Sequence, residues 1–427
     1  MGRDLSASWA SGWDTSGFPA DGLPYGVCDV GGDPFVGVPI GDYVLDLAQA
    51  EAAGLLPGVA SEVVQAGDLN ALIALGADAL RSLRGRLQAL LRLDASPPTR
   101  AATEACLVAR ATVRSRLPIR IGDFTDFYAS EHHALRSTRT MIPDAVLAPN
   151  WYAMPVSYCS RAGSVVGDGA QVVRPSGQQR VEGVTCFAPT RMLDFEAEIG
   201  LVVGAENQRG RPIPVRSAGD HLFGVSLLND WSARDIQRWE SQPLGPHLAK
   251  SFATQLGPWV MPVAALRPAA TPNPTASAAL PHLQHDGQYL FDIEVEVCLT
   301  SAAMRREGRA EVKICAANSK DLYWDAAQMI AHVTSNGAPV RIGDLLGTGT
   351  ISGPCHEQSA CLLELTQGGR APIDLPDGTQ RTYLQDDDEL TLRGVVRRPD
   401  APDLSLGALR SRVRPAFGLS SGSEGGG

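Results

Sequence analysis

The sequence predicts a mainly β protein of the α+β class with two domains. A chain of 427 residues is too long for one compact hydrophobic core. Leucine spacing typical of helices is concentrated before residue 117, whereas short apolar segments separated by Gly, Pro and Asp dominate after it. We therefore expect a modest N-terminal α+β domain over residues 1–116 and a larger β-rich domain over residues 117–419.

The composition indicates an acidic intracellular protein. Hydrophobic residues make up 44% of the chain and charged residues 20%, which is ordinary for a globular protein. The net charge of −10 argues against a nucleic-acid partner, and there is no apolar run of about 18 residues to span a membrane. The opening residues lack the apolar segment of a secretory signal, and the eight cysteines are scattered without a CxxC pair. We expect reduced thiols and a cytoplasmic location.

The N-terminal region combines strands with helices. Residues 18–47 contain short apolar runs between Gly, Pro and Asp, which predict small strands joined by tight turns. From residue 60 to 116, leucines recur at helical intervals with arginines between them. Pro97 and Pro98 are expected to break this zone into separate helices.

The C-terminal region is predicted to be rich in strands, because its apolar segments are short or alternate with polar residues. The candidate strands are residues 193–203, 290–299, 361–366 and 388–395. The Pro/Ala-rich residues 267–281 are interpreted as a long surface loop. The low-complexity residues 420–427 are interpreted as a disordered tail.

A helix with a polar face is predicted over residues 227–240. Asp230, Arg234 and Gln237 are spaced at i, i+4 and i+7, which places a carboxylate, a guanidinium and an amide on one face. Asn229 or Asp230 is expected to cap the N-terminus of this helix. A solvated polar stripe has the same spacing, so a functional interpretation depends on what lies nearby.

Acidic residues alternate with apolar ones along the predicted strand 193–203. Asp194, Glu196 and Glu198 would then lie on one face of the strand. If that face is buried, the carboxylates require a cation or basic groups to compensate them, whereas a wet edge strand requires neither. Residues 291–299 show the same alternation, so the pattern alone leaves both interpretations open.

Other candidate residues stand singly. Asp126, Tyr128 and His133 lie close together in a turn-rich segment, and histidine is the side chain best suited to take a proton near neutral pH. Lys250 follows a turn-forming Gly and Pro. Glu364 lies in a predicted apolar strand and needs a partner if it is buried. Each of these residues also has a plain structural alternative as a solvated or turn residue.

Three separate segments supply carboxylates that could surround a hard cation. They are Asp126, Glu196, Glu198 and Asp230. Ligation by oxygen alone favours calcium, magnesium or manganese over zinc, because no cysteine or paired histidine accompanies these acids.

Five long segments, in order along the chain, resemble the signature blocks of fumarylacetoacetases. They are DFTDFYASEHHA (123–134), PNWYAMPVSYCSRAGSVV (149–166), MLDFEAEIG (192–200), LLNDWSARDIQRWESQPLGPHLAKSF (227–252) and IGDLLGTGTISGP (342–354). The resemblance covers nearly the whole chain. It implies a small SH3-like β-barrel as the N-terminal domain and a larger mixed β-roll as the C-terminal domain. It also implies a homodimer that hydrolyses a carbon–carbon bond in a 1,3-diketo acid, converting fumarylacetoacetate to fumarate and acetoacetate in tyrosine and phenylalanine catabolism.

The resemblance further implies functions for the candidate residues. The expected ligands of a calcium or magnesium ion are Asp126, Glu196, Glu198 and Asp230. His133 is expected to be the general base and Glu364 the acid that orients it. The groups expected around the reacting oxygens are Arg234, Gln237 and Lys250. The residues expected to line the substrate site are Tyr128, Tyr158 and Thr350, together with Arg234 and Gln237.

Some positions depart from the family pattern. Ser241 stands where the family usually carries a tyrosine, and Cys159 and Ser160 replace a usual His and Gly. The stretch after His133 is rearranged, which leaves open whether Arg136 or Arg139 binds substrate. The residues expected to bind the metal and to act as the base are retained, whereas residues expected to contact the substrate are changed. The alternative is therefore a related enzyme of specialised metabolism that acts on a different β-dicarbonyl as a hydrolase, decarboxylase or isomerase.

Overall fold

The computed structural model describes residues 6–418, which form a mixed α+β fold built on three main β-sheets. The predicted α+β class is confirmed at this level. Residues 420–427, which were predicted to be a disordered tail, lie outside the described residues. Among the helices of residues 6–418, none is long and apolar enough to cross a membrane.

The chain contains 26 strands and 11 α-helices within the described residues. The strands are β1 (Gly26–Asp29), β2 (Phe35–Ile40), β3 (Tyr43–Asp46), β4 (Leu107–Ala109), β5 (Arg114–Ser115), β6 (Phe124–Phe127), β7 (Ser157–Cys159), β8 (Val165–Val166), β9 (Gln171–Val173), β10 (Ser176–Val181), β11 (Val184–Pro189), β12 (Leu193–Asp194), β13 (Ala197–Val203), β14 (Leu222–Asp230), β15 (Ser232–Ala233), β16 (Thr254–Leu256), β17 (Met261–Pro262), β18 (Ala270–Pro272), β19 (Gln288–Phe291), β20 (Ile293–Thr300), β21 (Val312–Asn318), β22 (Leu345–Gly347), β23 (Ile373–Asp374), β24 (Gln380–Arg381), β25 (Glu389–Val396) and β26 (Leu404–Arg414). The helices are α1 (Leu47–Ala52), α2 (Ser61–Val64), α3 (Asn70–Ile73), α4 (Gly76–Leu91), α5 (Pro97–Glu104), α6 (Glu131–Met141), α7 (Arg234–Glu240), α8 (Val263–Leu266), α9 (Ala302–Arg306), α10 (Ala326–Thr334) and α11 (Leu362–Leu365).

The N-terminal region forms an antiparallel five-stranded sheet in the order β4-β3-β2-β1-β5. Strands β2 and β3 pair Ile40 with Tyr43, so the turn between them begins at Gly41. Gly41 has a φ of 57°, and a Cβ there would lie 2.0 Å from the carbonyl oxygen of Ser11. Only glycine therefore suits this turn.

Helix α4 packs one leucine-rich face into the core of the same region. Leu83, Leu87 and Leu90 are buried at helical spacing, as the sequence periodicity predicted. Their hydrophobic cluster continues into Phe124 and Val202 of the larger region. The two regions therefore share one apolar core.

The central element of the larger region is an eight-stranded sheet. Its strands follow the order β7-β6-β22-β13-β14-β16-β8, with β17 also paired to β14. Strands β6 and β22 are parallel, whereas β13 is antiparallel to both β22 and β14. Both β13 and β14 are buried along their whole length, which matches their nearly continuous apolar sequences.

A second sheet completes the core of this region. Its order is β21-β20-β25-β26-β9. Val295 of β20 and Leu392 of β25 belong to the same buried cluster as Ile199 of β13 and Leu227 of β14. This packing fixes the eight-stranded sheet from one side, while the N-terminal region contributes to the other cluster.

The helix predicted over residues 227–240 begins later than expected. Strand β14 continues through Asp230, and α7 begins only at Arg234. The helix is capped by Ala233 without a side-chain hydrogen bond, so the predicted cap by Asn229 or Asp230 is wrong. The apolar run before Asp230 pairs with β13 and β16, and these sheet contacts override the helical spacing.

Of three further predictions of local structure, one is wrong, one is confirmed and one is correct in part. Residues 361–366 form the short helix α11 rather than a strand, since so short an apolar run carries no decisive periodicity. The predicted break into separate helices is confirmed, because α4 ends at Leu91 and α5 begins at Pro97. The two prolines lie in the first turn of α5, where a missing N–H is harmless, and Ser96 caps this helix. Residues 267–281 lie largely at the surface, as predicted, but they do not form one continuous loop, because β18 within them pairs with β19.

Candidate active site

Three buried carboxylates meet on neighbouring strands of the eight-stranded sheet. Asp126 lies on β6, Glu198 on β13 and Asp230 at the end of β14. One oxygen of each carboxylate lies within 4.8 Å of the other two. We call Asp126, Glu198 and Asp230 the carboxylate triad. The fold thus brings together three of the four acids that were predicted to share a cation.

Gly347 of β22 makes room for the triad. It pairs with Asp126 on one side and with Gly200 of β13 on the other. A Cβ at Gly347 would lie 2.5 Å from Asp126 Oδ1 and 2.9 Å from Glu198 Oε2. The absence of a side chain is therefore what allows these two carboxylates to approach each other.

The triad has the chemistry of an oxygen-ligand cation site. Burial and the charge of Asp230 raise the pKa of Asp126 well above its usual range. Burial and the charges of Asp126 and Asp230 raise the pKa of Glu198 likewise. Asp126 Oδ1 and Glu198 Oε1 are both buried and find no hydrogen-bond partner among residues 6–418. A hard divalent cation would satisfy these oxygens and offset the repulsion, so the residues fit such an ion.

Glu196, the fourth acid predicted to bind the cation, contacts basic groups. It lies between β12 and β13, with its carboxylate in contact with Lys250 Nζ and 2.6 Å from Arg234 Nη1. Burial acts to raise the pKa of Glu196, but the charges of Arg234 and Lys250 lower it to about 2. Lys250 Nζ also donates to Asp230 Oδ2 at 2.8 Å. Lys250 thereby connects Glu196 to the carboxylate triad.

Tyr158 bridges two members of the triad. Its hydroxyl oxygen lies 2.8 Å from Asp126 Oδ2 and 2.8 Å from Asp230 Oδ2. A phenol has one proton and can donate to only one of these oxygens at a time. Burial and the charge of Asp126 raise the pKa of Tyr158 well above its usual value, so the phenol remains protonated.

Arg234 is held by two acids and an amide. Its Nε donates to Asp194 Oδ2 at 2.8 Å, and its Nη1 donates to Gln237 Oε1 at 3.1 Å. Burial opposes its charge, but Glu196 and Asp194 raise the pKa of Arg234 well above the usual value. Its Nη2 is buried and has no hydrogen-bond partner within the described residues. Arg234 therefore offers a fixed, charged donor to a ligand.

His133 and Glu364 form a buried pair. Helix α6 is capped by Ser130, which accepts the backbone N–H of His133 at 3.0 Å. The Nδ1 of His133 contacts Glu364 Oε1, and its Nε2 lies 3.9 Å from Glu196 Oε1. A proton on Nδ1 leaves Nε2 as a free acceptor on the side of Glu196. Tyr128 packs edge-on against the imidazole with the ring centroids 5.2 Å apart.

These groups surround one cavity of about 410 Å³. The residues predicted to be functional that line it are Asp126, Tyr128, His133, Tyr158, Glu196, Arg234, Gln237, Lys250 and Thr350. Thr350 Oγ1 is buried and unpartnered within the described residues, like Arg234 Nη2. Glu198, Asp230 and Glu364 are buried behind this lining. The cavity therefore combines free donors, a carboxylate cluster and an imidazole.

The positions that depart from the family pattern differ in location. Ser241 lines the cavity, whereas Cys159 and Ser160 are not among the residues that line it. Neither Arg136 nor Arg139 lines it in the part of the chain that the structure describes. Helix α6 instead contributes His133, Ser137, Thr138 and Thr140 to the lining.

Several supporting residues were missed by the sequence analysis. Thr254 Oγ1 donates to Asp230 Oδ1 at 2.7 Å, and Ser352 Oγ donates to Glu364 Oε1 at 3.1 Å. Asp194, which was noted only as part of an acidic alternation, is the buried partner of Arg234. Gly347 was visible as one of a string of glycines, but its neighbours could not be known without the sheet order.

Comparison with known proteins places the chain in a family. Residues 124–414 match the family described as "Fumarylacetoacetate (FAA) hydrolase C-terminal", and residues 21–118 match "Fumarylacetoacetase N-terminal". The chain is 40% identical over 416 residues to a human protein named fumarylacetoacetase, covering 95% of this chain and 98% of that protein. It is 41% identical over 424 residues to the Caenorhabditis elegans protein of the same name, covering 96% and 99%.

A solved structure gives the same fold. The fumarylacetoacetate hydrolase of Exiguobacterium antarcticum superposes with a TM-score of 0.51 at 17% sequence identity, covering 92% of this chain and 99% of that one. At this identity the likeness bears on the fold alone, whereas the sequence matches extend over both the N-terminal and the C-terminal regions. The chain therefore belongs to the fumarylacetoacetate hydrolase family.

Proposed function

We propose that this protein hydrolyses a carbon–carbon bond of fumarylacetoacetate, giving fumarate and acetoacetate, with the help of a divalent cation. The observation that carries the proposal is one cavity that joins the carboxylate triad, the Arg234 and Lys250 cations and the His133–Glu364 pair. The identity to proteins named fumarylacetoacetase over nearly the whole chain supports it. The reaction assigns the enzyme to tyrosine and phenylalanine catabolism.

The proposed ligands of the cation are the carboxylate triad together with Glu196. An all-oxygen set favours calcium or magnesium. When bound, the cation polarises the carbonyl groups of a β-dicarbonyl and offsets the negative charge that develops on their oxygens. Glu196 is included because it contacts Lys250, which also contacts Asp230 of the triad.

His133 is proposed as the general base. With a proton on Nδ1 held by Glu364, its Nε2 takes a proton from a water molecule while the water oxygen bonds to the carbonyl carbon. The carbon–carbon bond then breaks, and its electron pair leaves with the acetoacetate fragment. The proton taken by His133 returns to that fragment, so the reaction consumes one water and restores the imidazole.

The negative charge on the attacked oxygen requires fixed donors. Arg234 Nη2, Lys250 and the Gln237 amide are proposed to supply them, and the loss of one such donor costs on the order of 10²–10³ in rate. Tyr128, Tyr158 and Thr350 are proposed to hold the substrate. The unpartnered state of Arg234 Nη2 and Thr350 Oγ1 supports these assignments, since buried donors normally have partners.

A related enzyme with another β-dicarbonyl substrate, acting as a hydrolase, decarboxylase or isomerase, is the second candidate. Ser241 favours it, because this small hydroxyl lines the cavity where the family usually carries a tyrosine. A decarboxylase or isomerase does not need an attacking water. The buried His133–Glu364 pair therefore favours hydrolysis over those two reactions.

The finer architecture and assembly are also proposals. We propose that residues 1–116 form an SH3-like barrel domain and residues 117–419 a mixed β-roll domain, and that two copies form a homodimer. The exposed Phe187 on the β10–β11 hairpin and Trp239 on α7 support an interface there, since Trp239 Nε1 donates to Gln178 of the same hairpin at 3.2 Å. Eight free cysteines support a cytoplasmic location.

The test is to incubate the purified protein with fumarylacetoacetate and a panel of 1,3-diketones, with calcium or magnesium, and to identify products by mass. We expect fumarate and acetoacetate, and we expect His133→Gln to bind metal normally but to lose at least about 100-fold in turnover. Intact fumarylacetoacetate with both metals would contradict the proposed substrate. A near-normal rate for His133→Gln would contradict the proposed base.

A further inference from the structure

Arg136 contacts the catalytic pair from outside the cavity. It lies on α6, one turn after His133, and its side chain is 24% exposed. Its Nε donates at 3.1 Å to Glu364 Oε2, the carboxylate oxygen that does not contact His133. The side chain of Glu364 is 0% exposed. The two oxygens of this buried carboxylate are therefore divided between an imidazole and a guanidinium.

The rest of the guanidinium is anchored by backbone. Arg136 Nη2 donates to the carbonyl of Gly353 at 2.7 Å, and Nη1 lies 3.3 Å from the carbonyls of Pro354 and Cys355. These carbonyls belong to the loop that follows Ser352, whose hydroxyl also donates to Glu364. One planar side chain thus fixes the loop and the carboxylate together, which is a geometry that lysine cannot reproduce.

A positively charged side chain is needed beside Glu364 because the carboxylate of Glu364 is buried. An ionised carboxylate without access to water is costly to bury unless a positive charge or several donors compensate it. Burial acts to raise the pKa of Glu364, but His133 and Arg136 lower it below the usual value. Arg136 is the permanently charged member of this set.

We infer that Arg136 is a positioning residue for the proposed hydrolysis: by holding Glu364 ionised and in place, it lets Glu364 fix the orientation of the His133 imidazole. This inference rests on the proposed function. The sequence left open whether Arg136 binds substrate; in the structure Arg136 is not among the residues that line the cavity, and its Nε donates to Glu364. Arg136 therefore acts through Glu364 and does not bind substrate directly.

The test compares Arg136→Gln, Arg136→Lys and wild type by steady-state kinetics on the substrate that wild type cleaves. We expect Arg136→Gln to lower kcat about 10-fold or more, a loss typical of groups that support a catalytic side chain, with KM changed less than about twofold. Arg136→Lys keeps the charge but not the planar guanidinium, so its kcat should lie between those of wild type and Arg136→Gln. Arg81→Gln, which removes an exposed arginine paired with Asp78 on α4, is the matched control and should leave both constants unchanged.

A double-mutant cycle with Glu364→Gln separates positioning from general destabilisation. If Arg136 acts through Glu364, adding Arg136→Gln to Glu364→Gln should change kcat less than about twofold. Equal losses in both backgrounds, a rise in KM at constant kcat, or wild-type kinetics in Arg136→Gln would each overturn the inference. If Arg136→Gln does not fold, Arg136→Lys carries the same cycle. Failure of wild type to cleave any diketone would instead count against the proposed function.

Discussion

At the scale of single residues, the space left by Gly347 decides whether the carboxylate triad can form. Gly347→Ala would place a methyl group 2.5 Å from Asp126 Oδ1 and 2.9 Å from Glu198 Oε2, so the carboxylates must move apart. We expect metal affinity to fall at least about tenfold, because cation sites depend on ligand spacing. Isothermal titration with calcium and magnesium measures this change.

Gly85→Ala is the control for that experiment. Gly85 lies within α4, and a Cβ there would meet no atom within 4 Å. Alanine should therefore bind metal as wild type does and stabilise the helix by about 0.5–1 kcal/mol. Wild-type affinity in Gly347→Ala would mean that the cation does not bind between Asp126 and Glu198.

The chemical groups of the site could be predicted from the sequence, but most of their supporting contacts could not. Asp126, Glu198 and His133 attract notice because carboxylates and imidazoles in apolar or turn-rich segments need an explanation. Thr254 does not, because a threonine is unremarkable in most positions, and the sequence indicates Arg136 only as a candidate for substrate binding. Their partners, Asp230 and Glu364, are 24 and 228 residues away in sequence.

At the scale of elements, the segment 267–289 is fastened to α10 by a buried ion pair. His285 Nε2 lies 2.9 Å from Asp325 Oδ2, and Asp325 caps α10 through a capping box with Gln328. Asn273 Nδ2 donates to the same Asp325 oxygen at 3.0 Å. This network explains why a Pro/Ala-rich stretch that looks like a loose loop is packed.

The ion pair predicts a pH-dependent contribution to stability. Burial acts to lower the pKa of His285, but the hydrogen bond to Asp325 and the charges of Asp325 and Asp286 raise it overall. A raised pKa means that folding favours the protonated imidazole. The contribution is therefore complete below the unfolded-state histidine pKa of about 6.5 and is lost as the pH rises through the folded-state value.

His285→Gln should accordingly destabilise the protein more at pH 5.5 than at pH 8.5. Loss of a hydrogen bond to a charged group costs about 1.5–3 kcal/mol, which sets the scale at the lower pH. Thermal unfolding at the two pH values, with His282→Gln as the exposed neighbouring control, measures it. An equal loss at both values would mean that His285 is uncharged when paired with Asp325.

Element types were predictable where the pattern was long and failed where a strand runs directly into a helix. The leucines of α4 and the alternating residues of β20 appear as the sequence suggests. Residues 227–240 contain both the end of β14 and the start of α7, and their polar spacing fits one helix equally well. The pairing of β14 with β13 and β16 is a long-range contact, and only this pairing decides between one continuous helix and a strand followed by a helix.

At the scale of the whole molecule, the active site depends on a sheet order that local sequence does not encode. Strand β6 lies beside β22, although more than two hundred residues separate them, and β13 and β14 follow in turn. The triad therefore exists only when β6, β22, β13 and β14 are assembled side by side. The eight-stranded sheet contributes residues to both large hydrophobic clusters, one of which also contains residues of the N-terminal region. Formation of the sheet is therefore tied to folding of the N-terminal and C-terminal regions together.

This dependence predicts that a divalent cation stabilises the entire fold. An ion that binds the assembled triad but not the unfolded chain adds RT ln(1 + [M]/Kd), or about 2.7 kcal/mol at one hundred times Kd. We expect calcium or magnesium to raise the unfolding temperature relative to EDTA. Glu198→Gln should lose this shift. In EDTA it should be more stable than wild type, because a neutral amide avoids the cost of burying an acid whose pKa is raised well above its usual range. A metal shift of full size in Glu198→Gln would mean that the cation does not bind at Glu198, since the remaining proposed ligands, Asp126, Asp230 and Glu196, cannot replace the charge that Glu198 supplies.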